Sequence, residues 1–284
     1  MFGGRNMKKD RKDGKYLQAK DGIHAIIPYL MENRCEAEVF QSLNLDITNL
    51  KYWVDQQNVN LDFKYTYFQA LTAVFVKTIF NRPELNRFVQ GHRLYERNYV
   101  SITFAAKDKM SDQAEEKMIV LKINPEETAL QLARKMAFDI FETRKKGTNE
   151  LDKILKRLTK MPRFILRLVT NFIKWLDYHG WVPKYLSEND SNYATLLLSN
   201  LGSIKSNSCY HHLNNYGTNS ICITIGTIKE ENNRFIVDIG ATLDERISDG
   251  FYFAKSLKLA QYICSNPKVL EQPLKNLLEI ENNL

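Results

Sequence analysis

The segment from Phe63 to Phe80 sets the tightest limit on what this chain can fold into. Phe68, Leu71, Thr72, Phe75, Val76 and Ile79 recur at helical spacing, which predicts a long helix with an apolar side, closed by Pro83. Strands are predicted before and after it. Val39 to Ile47 alternates apolar and polar residues. Phe88–Leu94, Val100–Ala105 and Ile119–Ile123 are separated by polar turns, and Ala194–Leu198, Ser220–Ile228 and Phe235–Leu243 are rich in β-branched residues. Further helices are expected over 28–38, with Pro28 in the first turn, over 49–57, capped by Thr48, over 128–145, and over 248–265, before Pro267. The order lacks regular β-α-β alternation, so the reading is an α+β fold with a mixed sheet.

At 284 residues, 44% of them hydrophobic, the chain can bury one large core or two small ones without staples. We read residues 1–20 as a mobile basic arm that orders on assembly. Residues 21–284 read as one domain, with an amphipathic basic helical insertion at about 150–182. No uncharged apolar run reaches the length of about 18 residues that a spanning helix needs. The N-terminus lacks the apolar stretch of a secretory signal. Cys35, Cys209, Cys222 and Cys264 are widely spaced and form no C-x-x-C, which suits buried thiols in a reducing cytoplasm. No metal site is expected, because His211 and His212 are adjacent, a poor spacing for a shared ligand set. No nucleic-acid partner is expected either, since no recognition motif or aromatic-basic interleaving occurs.

Three motifs, taken together, point to a family. The long helix is written K-Y-T-Y-F-Q-A-L-T-A-V-F-V-K-T-I-F-N-R-P-E-L-N-R-F-V. S-N-L-G, Ser199–Gly202, follows a predicted strand. D-E-R-I-S-D-G precedes the last helix and N-P-K-V-L-E-Q-P. Over about residues 23–273 this resembles the catalytic domain of the 2-oxoacid dehydrogenase acyltransferases and of chloramphenicol acetyltransferase. The resemblance implies a two-layer α+β fold. It also implies a homotrimer with active sites between subunits, using a coenzyme A thioester as acyl donor. No lipoyl domain and no Ala/Pro-rich linker is present, which argues for a stand-alone protein rather than part of a large dehydrogenase complex.

In that family a histidine four residues before the aspartate of H-x-x-x-D-G deprotonates the attacking thiol or hydroxyl. Here the histidine position holds Glu245, and the aspartate position is Asp249, followed by Gly250. The resemblance gives Asp249 an organising role, paired with an arginine from an early helix, and Arg34 occupies the matching region. A plain buried salt bridge is the simpler account of such a pair. Ser199 matches the serine that donates to the oxyanion, with Asn200 and Gly202 shaping its turn. Replacing an imidazole by an ordinary carboxyl loses about 2 pKa units of basicity, roughly 3 kcal/mol, which bounds the rate loss near a hundredfold. Burial of Glu245 would recover much of that, whereas pairing with Arg246 or Arg34 would deepen it. His211 or His212 offers a substitute imidazole, or is a surface or packing residue. Two functions stand open. One is a coenzyme-A-dependent acyltransferase acting on a hydroxyl, thiol or amine. The other is a catalytically silent relative, a pseudoenzyme serving as a binding, scaffolding or regulatory trimer.

The net charge of +7 is concentrated rather than spread. Arg144 to Lys174 holds ten Lys/Arg against Glu150 and Asp152, and residues 1–21 add seven bases against three acids. Any anionic partner should meet those two segments. Within 161–178, Phe164, Ile165, Leu168, Val169, Phe172, Trp175 and Leu176 form a broad stripe, and Arg163, Arg167, Asn171 and Lys174 face elsewhere. Pro162 suits the start and Gly180 the end, where Trp175, Tyr178 and Trp181 cluster. Three readings are open. The helix packs on the sheet or a neighbouring subunit with its bases in solvent, it lies in an anionic membrane interface as a peripheral contact, or it binds coenzyme phosphates.

Overall fold

The apolar segment folds as a helix from Tyr67 to Asn81, starting later than its spacing alone predicts. The reason is a reciprocal cap: Thr66 Oγ1 accepts from the Gln69 N–H, and Gln69 Oε1 accepts from the Thr66 N–H at 2.8 Å. The structure, a computed structural model, describes residues 10–107, 116–146 and 157–278. In chain order it runs β1 (Gly14–Tyr16), α1 (Gly22–Leu30), a 3₁₀ turn at Arg34–Glu36, β2 (Glu38–Asp46), α2 (Thr48–Asn58) and α3 (Tyr67–Asn81). A 3₁₀ turn at Pro83–Asn86 leads to β3 (Arg87–Gln90), β4 (Arg93–Arg97), β5 (Ser101–Lys107), β6 (Glu116–Lys122) and α4 (Ala129–Lys146). There follow α5 (Arg163–Tyr178), α6 (Lys184–Asn189), β7 (Leu196–Asn200), β8 (Ile221–Glu231), β9 (Arg234–Asp244) and α7 (Gly250–Ser265).

Among the described residues the strands form two sheets. The larger has the order β2-β9-β8-β7-β5-β6. Only β8–β7 and β7–β5 are parallel in it, so the sheet is mixed. One face carries Leu196, Leu198, Ile221, Ile223, Ile239 and Ala241 into a single core shared with α2, α3, α4 and α7. The alternate residues of the same strands, Ser199, Cys222, Thr224 and Thr242 among them, point the other way. The chain between β7 and β8 crosses that second face, where the Cys209 N–H donates to Thr224 Oγ1 at 3.1 Å.

Several local expectations change. The single strand expected over 88–94 is a hairpin, β3–β4, because Gly91 and His92 both take φ +57°, the left-handed turn that matches strand twist. The helix expected to begin at Pro28 begins at Gly22, where Asp21 accepts from the His24 N–H at 2.9 Å. Pro28 sits near its end instead, and the helix stops two residues later. Residues 10–20 are no free arm. β1 pairs with β4, and Arg11 reaches the buried Asp177 of α5, donating to its carbonyl at 2.6 Å and its carboxylate at 3.2 Å. Gln90 and the Gly217 N–H donate to the same carboxylate. Residues 1–9 of the expected arm and 147–156 of the expected insertion lie outside the described residues. Cys222 and Cys264 are buried as expected, whereas Cys35 and Cys209 are exposed; all four are free thiols. No described helix is long and apolar enough to cross a membrane.

Lys77 of α3 is wholly buried and donates from Nζ to the Pro273 carbonyl at 3.0 Å. Burial pushes its ammonium down to about 8. The unfolded chain therefore binds more protons here above that pH, so this group makes stability rise with pH. Between about pH 8 and about pH 10 the rise should be about 2 kcal/mol. Urea titrations should show it in the parent and lose it in Lys77→Met; an identical pH profile in the two proteins would refute it.

Candidate active site

The end of β9 is held by a buried charge cluster. Asp244 is fully buried and accepts two hydrogen bonds from the Arg246 guanidinium, at 2.8 and 2.7 Å, and one from its N–H at 3.1 Å. Arg34, 2% exposed, brings its Nε to 4.0 Å from the same carboxylate. Its remaining donors go to the Asn214, Asn215 and Val89 carbonyls and to Gln90 Oε1. Arg246 also donates to the Met31 and Glu32 carbonyls. Burial pushes Arg34 down to about 10, with the Asp244 charge pulling it back up. One carboxylate thus ties the strand end to two loops and to β3.

This corrects the expected pairing of Arg34 with Asp249. Asp249 is exposed and caps α7, accepting from the Tyr252 N–H at 2.8 Å, with Lys20 at 3.2 Å. That cap holds its carboxyl below the usual range, with a smaller contribution from Lys20. Gly250 opens the helix, and a Cβ there would meet nothing within 4 Å. Glu245 is half-buried at the strand end, and its N–H donates to the Ala37 carbonyl at 2.9 Å. Among the described residues its carboxylate has no hydrogen-bond or ion-pair partner. Neither Arg34 nor Arg246 takes it, since both guanidiniums are committed to Asp244 and backbone carbonyls.

Ser199 lies far from this group within one chain. It pairs with Thr224, and Thr224 with Gly240, so Glu245 lies five residues farther along and two strands across. That is about 17 Å along the strands and about 10 Å across them. Ser199 is half-buried, and among the described residues its hydroxyl has no partner. The turn after it is tight: a Cβ on Gly202 would collide with the Gly226 carbonyl, and Ser203 Oγ donates to the Asn200 carbonyl at 2.7 Å. Asn200, Gly202 and Ser203 line a cleft of about 460 Å³, closed on the other side by Tyr67, Phe68 and Ile140. His211 and His212 are both exposed and stack on each other at 4.7 Å, with His211 Nδ1 at 2.8 Å from the His212 carbonyl. Among the described residues no group of acidic, histidine or cysteine side chains could hold a metal ion.

Sequence reading missed Asp244, Glu84 and Asn86. Glu84 accepts from Ser248 Oγ, and its N–H donates to the Tyr252 hydroxyl at 3.1 Å, so P-E-L-N is tied to D-E-R-I-S-D-G. Asn86 Oδ1 accepts from Thr195 Oγ1 at 2.9 Å, just ahead of β7. The signal for Asp244 was present: Asp and Arg two residues apart at a strand end share a side.

Comparison with solved structures places this architecture. The dihydrolipoamide acetyltransferase of Azotobacter vinelandii superposes with a TM-score of 0.59 at 16% identity, covering 87% of this chain and 88% of that one. A serine, a histidine and an asparagine have been investigated for their role in that enzyme's catalytic mechanism. A probable dihydrolipoamide acetyltransferase of Listeria monocytogenes gives 0.55 at 15% identity, covering 89% and 95%. A chloramphenicol acetyltransferase gives 0.56 at 9% identity, covering 88% and 99%. No protein-family model matches the chain, and no curated protein does. The chain therefore has the two-layer α+β fold of the dihydrolipoamide acetyltransferase catalytic domains and chloramphenicol acetyltransferase.

The cluster and the cap make opposite predictions for two aspartates of one motif. Asp244→Asn should cost about 3–5 kcal/mol, because it leaves two buried guanidiniums without their charge partner. Asp249→Ala should cost only about 1 kcal/mol, the loss of an exposed helix cap. Denaturant midpoints of the two variants decide between them; equal losses would refute the assignment.

Proposed function

We propose that this chain is a coenzyme-A-dependent acyltransferase working as a homotrimer, with each site assembled from two copies. The observation that carries the reading is Glu245: half-buried at the strand end, and without a partner among the described residues while its arginine neighbours are taken by Asp244. An arginine-paired carboxylate would be a poorer base. Ser199, too, has no partner among the described residues and can donate. The two lie at opposite ends of one sheet, so they serve one reaction only if Glu245 of one copy faces Ser199 of another. The cleft beside the Ser199 turn is of a size that accepts a pantetheine arm.

In the proposed reaction the acceptor's hydroxyl, thiol or amine attacks the thioester carbonyl while Glu245 takes its proton. Ser199 donates to the resulting oxyanion. Collapse of the intermediate breaks the carbon–sulfur bond, and the departing coenzyme A thiolate recovers the proton from the Glu245 carboxylic acid. Asp244, with Arg34 and Arg246, holds the strand end that carries the base, and Asp249 with Gly250 starts the helix behind it. His211 and His212 have no part in this reading. The free thiols suit a cytoplasmic setting. A second reading rests on the acid itself, since the related enzyme's mechanism has been studied at a histidine. It is a silent trimer that keeps the channel for binding or regulation.

A screen of coenzyme A thioesters against hydroxyl, thiol and amine acceptors, with mass detection, separates the two. The catalytic reading expects turnover in the parent, a loss of about a hundredfold or more in Glu245→Gln, and of about 10²–10³ in Ser199→Ala. No turnover in the parent, with activity appearing in Glu245→His, would establish the silent reading instead.

A further inference from the structure

We propose that the outward side of α5 docks on an anionic lipid bilayer, an interaction independent of the acyltransferase reading. Only part of the helix's apolar stripe is used by the domain. With successive residues turned about 100°, α5 divides into three arcs. Ile165, Leu166, Val169, Ile173 and Leu176 are partly buried, and Asp177 completely so, forming the arc that faces the protein. The next arc carries Phe164, Leu168, Phe172 and Trp175, which are 67, 65, 57 and 47% exposed. The third carries Arg163, Arg167 and Lys174, all exposed and, among the described residues, without an acidic partner.

Asp177 is the one acid of this helix, and it is consumed inside the protein by Arg11, Gln90 and Gly217. The outward surface of α5 therefore presents apolar and cationic groups with no carboxylate between them. Aromatic rings continue past the helix: Trp175 meets Trp181 edge-on at 5.3 Å, and Trp181 is 55% exposed. Indole rings suit the boundary between acyl chains and headgroups.

The basic row lies beside the apolar arc rather than within it. When the apolar arc enters a bilayer, the arginine and lysine stems lie along its surface and their charges stay at headgroup depth. A second copy set face to face on the same arc would bring two basic rows together. A bilayer containing acidic lipids supplies the negative charge and accepts the apolar groups at once.

The test uses the full chain with vesicles of phosphatidylcholine, alone or mixed with phosphatidylserine, at low and high salt. Trp175 and Trp181 are exposed whereas Trp53 is 6% exposed, so tryptophan emission reads this face. Co-sedimentation with the acidic vesicles at low salt is expected, together with a blue shift and quenching by brominated acyl chains. Binding should weaken as salt rises. Replacing Arg163, Arg167 and Lys174 together by Gln should weaken it about a hundredfold, at roughly fivefold per charge. All three side chains are exposed, so an unchanged melting temperature should accompany that loss. Absence of sedimentation at low salt, equal binding to neutral vesicles, or undiminished binding by the triple variant would each overturn the proposal. So would a parent oligomer that dissociates in Phe172→Ser while neither protein binds vesicles, since the face would then belong to a second copy.

Discussion

The structure depends on one buried carboxylate. Asp244 holds Arg246 directly and Arg34 at the edge of ion-pair range, and those guanidiniums hold backbone carbonyls of the 31–32 and 214–215 loops and of Val89 in β3. Charges this deep are costly to desolvate and stay only if nearly every donor is satisfied. Here the donors are spread over separate loops, so the cluster works as a brace. It fixes the direction in which the chain leaves β9, and with it the place of Glu245.

That brace also leaves Glu245 without an arginine partner among the described residues, because Arg246 and Arg34 are both committed to Asp244 and to backbone carbonyls. At the other end of the same sheet, the Ser199 hydroxyl has no partner among the described residues, next to a turn that only a glycine at 202 allows. Separation of the two groups within one chain is what leads us to propose a homotrimer with sites shared between copies.

The sequence made the fold readable where period and composition agreed. The apolar recurrence in α3 and the β-branched runs of β7, β8 and β9 each fell within a few residues of the observed elements. It failed where tertiary partners or turn geometry decided the outcome. The strand expected over 88–94 hid a turn at Gly91–His92, and Arg11 in an apparent arm found a buried acid in α5. Arg34 was expected to pair with Asp249 because the motif places them in one neighbourhood, but motif spacing does not say which acid is buried. The stripe of α5 was visible as apolar, yet nothing in its spacing told which arc would meet the protein.

The most direct test of a site shared between copies mixes two inactive variants. Ser199→Ala and Glu245→Gln proteins are exchanged by gentle dissociation and reassembly, and acyl transfer is measured before and after. If each site draws its serine from one copy and its glutamate from another, mixed assemblies should regain about a quarter of the parent activity, the fraction of interfaces with both groups intact. Activity that stays at the level of the separate variants, with exchange confirmed by mass, would contradict the account.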